Sequence, residues 1–75
     1  MKTRNIDLKG PEGNVFCVIG ITFNIVLESK GLEAAQKFSN RLLNDPVGSY
    51  DEALNICQKQ AEECGTKLVY ENKYL

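Results

Sequence analysis

Histidine is absent from these 75 residues, and so is tryptophan. Without imidazole the chain lacks the one side chain that titrates near neutral pH unaided, and with it the commonest general base. Cysteine is scarce and odd in number: Cys17, Cys57 and Cys64. If Cys57 and Cys64 share a helix they sit about 10 Å apart along it, beyond the roughly 7 Å a disulfide spans. All three are therefore expected as reduced thiols, acting as small buried hydrophobes in a reducing compartment. A closed zinc site needs four thiolates or imidazoles, which three scattered cysteines do not supply.

Charge of one sign is not in excess either. Nine Lys and Arg face ten Asp and Glu, for a formal net charge of −1. The signs are interspersed, which argues against duplex nucleic acid, because phosphate binding needs a clustered positive face. Long hydrophobic runs are also missing. The greasiest stretch, Val15 to Leu27, spans about 20 Å as a helix, short of the ~30 Å hydrocarbon core, and Asn24 interrupts it. No membrane span is expected. Met1 to Lys9 is polar with no apolar stretch, so no secretory signal is expected there, and a cytoplasmic location follows.

What remains suits one small domain. Thr3 to Lys9 alternates, with Ile6 and Leu8 on one side and Asn5 and Asp7 on the other, which predicts a short strand. Gly10-Pro11-Glu12-Gly13 stops it with turn residues. Val15 to Glu28 is ambiguous. Its many β-branched residues favour extended structure, whereas its length and the preceding Pro and Asn favour a helix. Helical projection puts Gly13, Cys17, Gly20, Asn24, Glu28 and Gly31 on one narrow stripe among large apolar residues. That predicts a buried helix with a small-residue seam, ended by Gly31. Leu32 to Asn44 reads as a second helix with Ala35, Phe38 and Leu42 on one face, stopped by Asp45-Pro46. Ser49-Tyr50-Asp51-Glu52 is a capping box. It opens a third helix striped by Tyr50, Leu54, Cys57, Ala61 and Cys64 and closed by Gly65. Thr66 to Tyr70 reads as a last strand, with Leu68 and Tyr70 on one face. The expected fold is α+β, in the order β-α-α-α-β. Three helices pack against an antiparallel pair of terminal strands.

The run Ile6-Asp7-Leu8-Lys9-Gly10-Pro11-Glu12-Gly13-Asn14-Val15-Phe16, followed by an apolar helix, resembles a group of short proteins from tailed bacteriophages. Gly48 to Leu54 and the closing strand echo it more weakly. Phe23, Asn24, Ile25 and Val26 depart from the alanines and lysines of that group. The resemblance implies a phage accessory protein that antagonises a host factor or defence. It implies no catalytic residue.

No catalytic residue is expected from the residues themselves. Asp51-Glu52 and Glu62-Glu63 are adjacent on a helix and diverge by about 100°, so neither pair shares a proton or a metal. No cofactor is expected. Two binding candidates stand out. The turn with Lys9, Gly10, Gly13 and Asn14 leads into a helix whose first N–H groups lack helical partners, a place for an anionic ligand such as a nucleotide phosphate. Against this, Glu12 already brings negative charge to that helix end. The seam of Cys17, Gly20 and Asn24 is the second candidate. A glycine inside a helix costs about 1 kcal/mol relative to alanine, so Gly20 asks for a close backbone, of this chain or of a second subunit. Tyr70 and Tyr74 are candidate interface residues. Lys37 and Arg41 make a small positive spot that reads as a solvated face. The leading expectation is a non-enzymatic protein that binds a host protein, as a homo-oligomer. The alternatives are a binder of a small anionic signalling nucleotide and, with less support, an RNA-binding module.

Overall fold

A computed structural model describes residues 1–44 and 49–72. Strand β1 runs Lys2–Asp7, and a single 3-10 turn follows at Pro11–Gly13. Helices α1 (Val15–Lys30), α2 (Leu32–Asn44) and α3 (Tyr50–Glu63) come next, then strand β2 (Thr66–Glu71).

The ambiguous segment is helical throughout. Asn14 sets its start: the side-chain Oδ1 accepts from the Phe16 N–H at 2.8 Å, and the Asn14 carbonyl accepts from Cys17 and Val18. Three helix-end donors are thereby satisfied. β-Branched residues cost a helix only tenths of a kcal/mol each, and burial of Val18, Ile19, Thr22 and Val26 on one side outweighs that. The buried Thr22 hydroxyl donates to the Val18 carbonyl one turn back at 2.9 Å, so it enters the core satisfied. Gly31 stops the helix at φ 95°, where a side chain is strained, and its N–H closes on the Leu27 carbonyl. Helix α2 buries Ala35, Phe38 and Leu42, the face its sequence pattern marks. Helix α3 begins at Ser49, whose Oγ accepts from the Glu52 N–H at 3.1 Å. Gly65, at φ 82°, turns the chain into β2. The proposed stop of α2 at Asp45-Pro46 lies outside the described residues.

The expected antiparallel pairing of the terminal strands is corrected. β1 and β2 are parallel, with Lys2 opposite Thr66 and Asp7 opposite Glu71. Antiparallel neighbours suit a tight hairpin, whereas parallel ones need a long crossover, and here the three helices supply it. A chain that returns through an odd number of up-and-down helices arrives where the first strand began, and the second strand then runs the same way.

The core gathers Ile6, Val18, Ile19, Phe38, Leu42, Leu54, Cys57, Ala61 and Leu68. Helix α1 packs against both α2 and α3, while α3 covers β2. Ile6 is the one buried residue of β1; Lys2, Thr3, Arg4 and Asn5 are all exposed. The helical layer thus reaches over the second half of β1 and leaves the first half bare.

Candidate interaction surfaces

The glycine turn is built from its own hydrogen bonds. The Asp7 carboxylate accepts from the Lys9 N–H at 3.0 Å and from the Asn72 side chain at 2.9 Å. The Asn72 bond, then the Lys9 N–H, hold the Asp7 carboxyl below its usual value. Gly10 N–H donates to the Asp7 carbonyl and Gly13 N–H to the Gly10 carbonyl. Gly13 is required by contact: a Cβ there would lie 2.0 Å from the Leu8 carbonyl oxygen. The Tyr50 hydroxyl donates to the Gly13 carbonyl and ties α3 to the turn. Glu12 meets Arg4 of β1 at 2.5 Å.

Lys9, Gly10, Gly13 and Asn14 do come together in this turn. Six of the N–H groups around it, however, are engaged. Those of Lys9, Gly10 and Gly13 donate within the turn, and those of Phe16, Cys17 and Val18 donate to Asn14.

The seam has a different fate. Cys17, Gly20 and Asn24 share one side of α1, and that side faces solvent. Among the described residues a Cβ added to Gly20 would meet nothing within 4 Å, so the expectation that a backbone of the same chain covers it is corrected for those residues. Phe16 beside it is 66% exposed and Leu27 is 37% exposed. No charged residue stands between Glu12 and Glu28. Helix α1 is apolar nearly all round, yet the domain covers only one side of it.

Tyr70 is half-buried rather than presented at the surface. Its hydroxyl donates to the Leu54 carbonyl at 2.6 Å, and burial pushes its pKa up, with Cys57 and Tyr50 adding to the shift. Tyr74 lies outside the described residues. Cys57 is buried, and that burial raises its thiol pKa against a smaller opposing effect of the Thr22 hydroxyl. Cys17 is an exposed free thiol. Lys37 pairs loosely with Glu33, one turn away, at 3.7 Å on an exposed face.

One feature escaped the sequence reading: a groove of about 970 Å³ between the first half of β1 and the second half of α1. Lys2 and Arg4 border it on the strand, Ile21, Asn24, Ile25 and Glu28 on the helix, and Cys64 to Thr66 at the start of β2. The signal was present in β1, where both faces are polar until Ile6, a pattern that announces a strand half uncovered. Among the described residues no cluster of His, Cys, Asp and Glu is arranged to hold a metal ion. No helix among them is long and apolar enough to cross a membrane. Compared with known proteins, the chain matches no family model, no curated protein and no solved structure, so its function is argued from its own geometry.

Proposed function

We propose that this chain is a non-catalytic, cytoplasmic protein-binding domain that acts as a homodimer, the uncovered side of α1 forming the contact between copies. The observation that carries this reading is Gly20. It sits mid-helix at a cost of about 1 kcal/mol relative to alanine, and nothing among the described residues approaches it. A close backbone from another molecule gives the glycine a use. A second copy suits the surface because the stretch from Gly13 to Leu27 is uncharged and so meets itself without repulsion. Asn24 carries both a donor and an acceptor, so it can pair with its symmetry mate and set the register, as a lone polar residue does in paired helices. Phe16 supplies an aromatic anchor of the kind that dominates interfaces.

The target in this reading is a host protein, in keeping with the resemblance of the first turn to phage accessory proteins. The nucleotide-holding alternative has less support, since six amides of the turn and the helix start already donate within the chain.

Native mass spectrometry of the wild type and of Gly20→Leu tests the reading. The wild type is expected at twice the 8.4 kDa chain mass. Gly20→Leu is expected at the single chain mass with its helical circular dichroism intact, because the new side chain points into open space. A monomeric wild type at high concentration, or a variant that stays dimeric, contradicts it.

A further inference from the structure

Resting on the dimer reading above, we propose that the two α1 helices pair antiparallel in one register, with the Phe23 ring of each copy seated on Gly20 of the other and Phe16 against Leu27.

The exposed side of α1 carries a repeat. Phe16, Gly20, Phe23, Leu27 and Lys30 follow one another at spacings of four, three, four and three. That spacing keeps residues on one line of a helix and is the pattern by which helices pair. Phe16, Gly20 and Leu27 are exposed and Phe23 is half-buried, whereas Val18, Ile19, Thr22 and Val26 on the other side are buried. Helix α2 widens the apolar surface. Leu32 and Leu43 stand on its flank opposite Lys37 and Arg41, which line the cleft toward α3 with Gln60 and Glu63. Among the described residues six large apolar side chains are exposed, and four of them, Phe16, Leu27, Leu32 and Leu43, belong to this one region. A scatter of single exposed residues would need no explanation, but a concentration of this kind marks a contact surface.

Size and charge then choose the occupant and its direction. Along the line, the residue with no side chain stands between two phenylalanines. In a parallel pair each residue meets its own mate. Gly20 would face Gly20 across a void, two phenylalanines would crowd each neighbouring layer, and Lys30 would face Lys30. In an antiparallel pair with the twofold axis between Ile21 and Thr22, large meets small: Phe23 lies over Gly20 and Phe16 over Leu27. Lys30 then lies over Gly13 and keeps its pairing with Glu63 of its own chain. Facing large and small residues fill a seam without voids or strain. A shift by one heptad either way carries Leu27 or Phe16 past the end of the facing helix, so this register is the one that uses every apolar residue of the line. The helix ends also meet in opposite sense, which their dipoles favour. Antiparallel pairing keeps the Cys17 and Asn24 flanks of both copies on the same rim of the seam.

Isotope-filtered NMR on a mixture of labelled and unlabelled full-length chains reads which protons touch across the dimer. Contacts are expected between the Phe23 ring and the Gly20 α-protons, and between the Phe16 ring and the Leu27 methyls. Contacts of Gly20 with Gly20, or of Phe16 with Phe16, in a chain of double mass overturn the pairing and leave the dimer reading standing. A chain of single mass with no intermolecular contact overturns both. Phe16 is 66% exposed in the single chain, so Phe16→Ala is expected to weaken association at least about tenfold while the melting temperature of the monomer holds. An unchanged dissociation constant overturns the pairing. Adding Phe23→Ala to the monomeric Gly20→Leu is expected to restore the dimer, because the leucine of each copy then seats over an alanine of the other. A double variant that stays monomeric with its helical circular dichroism intact overturns it as well.

Discussion

Gly13 and Gly20 stand seven residues apart and look alike in the sequence, yet they do opposite things. Gly13 leaves room for the Leu8 carbonyl, 2.0 Å from where its Cβ would be. Gly20 leaves room for nothing among the described residues. Gly13→Ala is therefore expected to destabilise by about 1–3 kcal/mol, as overpacking does. Gly20→Ala is expected to stabilise the isolated chain by up to about 1 kcal/mol. Thermal melts at dilutions that keep the chain monomeric check both; equal melting temperatures for the two variants would sink the distinction. The projection that put both glycines on one stripe was sound geometry. It tells which residues share a side, not whether that side faces in. On a helix apolar nearly all round, no polar side betrays the answer.

At the scale of elements, the amphipathic pattern placed α2 and the cap at Ser49 placed α3 within a residue, because each buries one face and each end has its own chemistry. The helix over Val15–Lys30 was also legible, through Asn14 and Gly31 rather than through the residues between them. Strand direction was not, since nothing local to Ile6 or Leu68 records which way the chain comes back. The groove escaped for a related reason: it depends on how far the helices reach over β1, a tertiary quantity. The junction of α1, α3 and β2 carries a pH dependence. Cys57 and Tyr70 are both held protonated by burial, above ordinary values of 9.0 and 10.0. The unfolded chain gives up these protons first as pH rises, so the two groups destabilise the fold only in alkali. Stability to urea is expected to be level up to about pH 9 and to fall above it. Tyr70→Phe should remove the part of the fall that begins near pH 10, at the cost of about 1 kcal/mol for its bond to the Leu54 carbonyl. An unchanged urea midpoint from pH 8 to 11 would show that neither group is protected.

For the molecule as a whole, the layout divides its surfaces. Helix α1 packs on the core with one side and borders the groove along its second half, and in the proposed dimer its uncovered side meets a second copy. The turn at Gly10–Asn14, which the sequence marked most strongly, is read as the brace between β1, α1 and α3 through Gly13 and Tyr50. Short motifs of glycine, proline and asparagine mark a demanding backbone path, and that demand is as often structural as it is binding.

Cys17 lies on the uncovered side of α1, within one turn of Gly20, and its thiol is exposed in the single chain. Its labelling rate by a small thiol reagent, followed peptide by peptide across a range of chain concentrations, reads directly whether another copy covers that side. The rate is predicted to drop as concentration rises through the association range, with buried Cys57 slow throughout, and to stay high at every concentration in Gly20→Leu. A Cys17 rate that is fast and independent of concentration in the wild type would contradict the account.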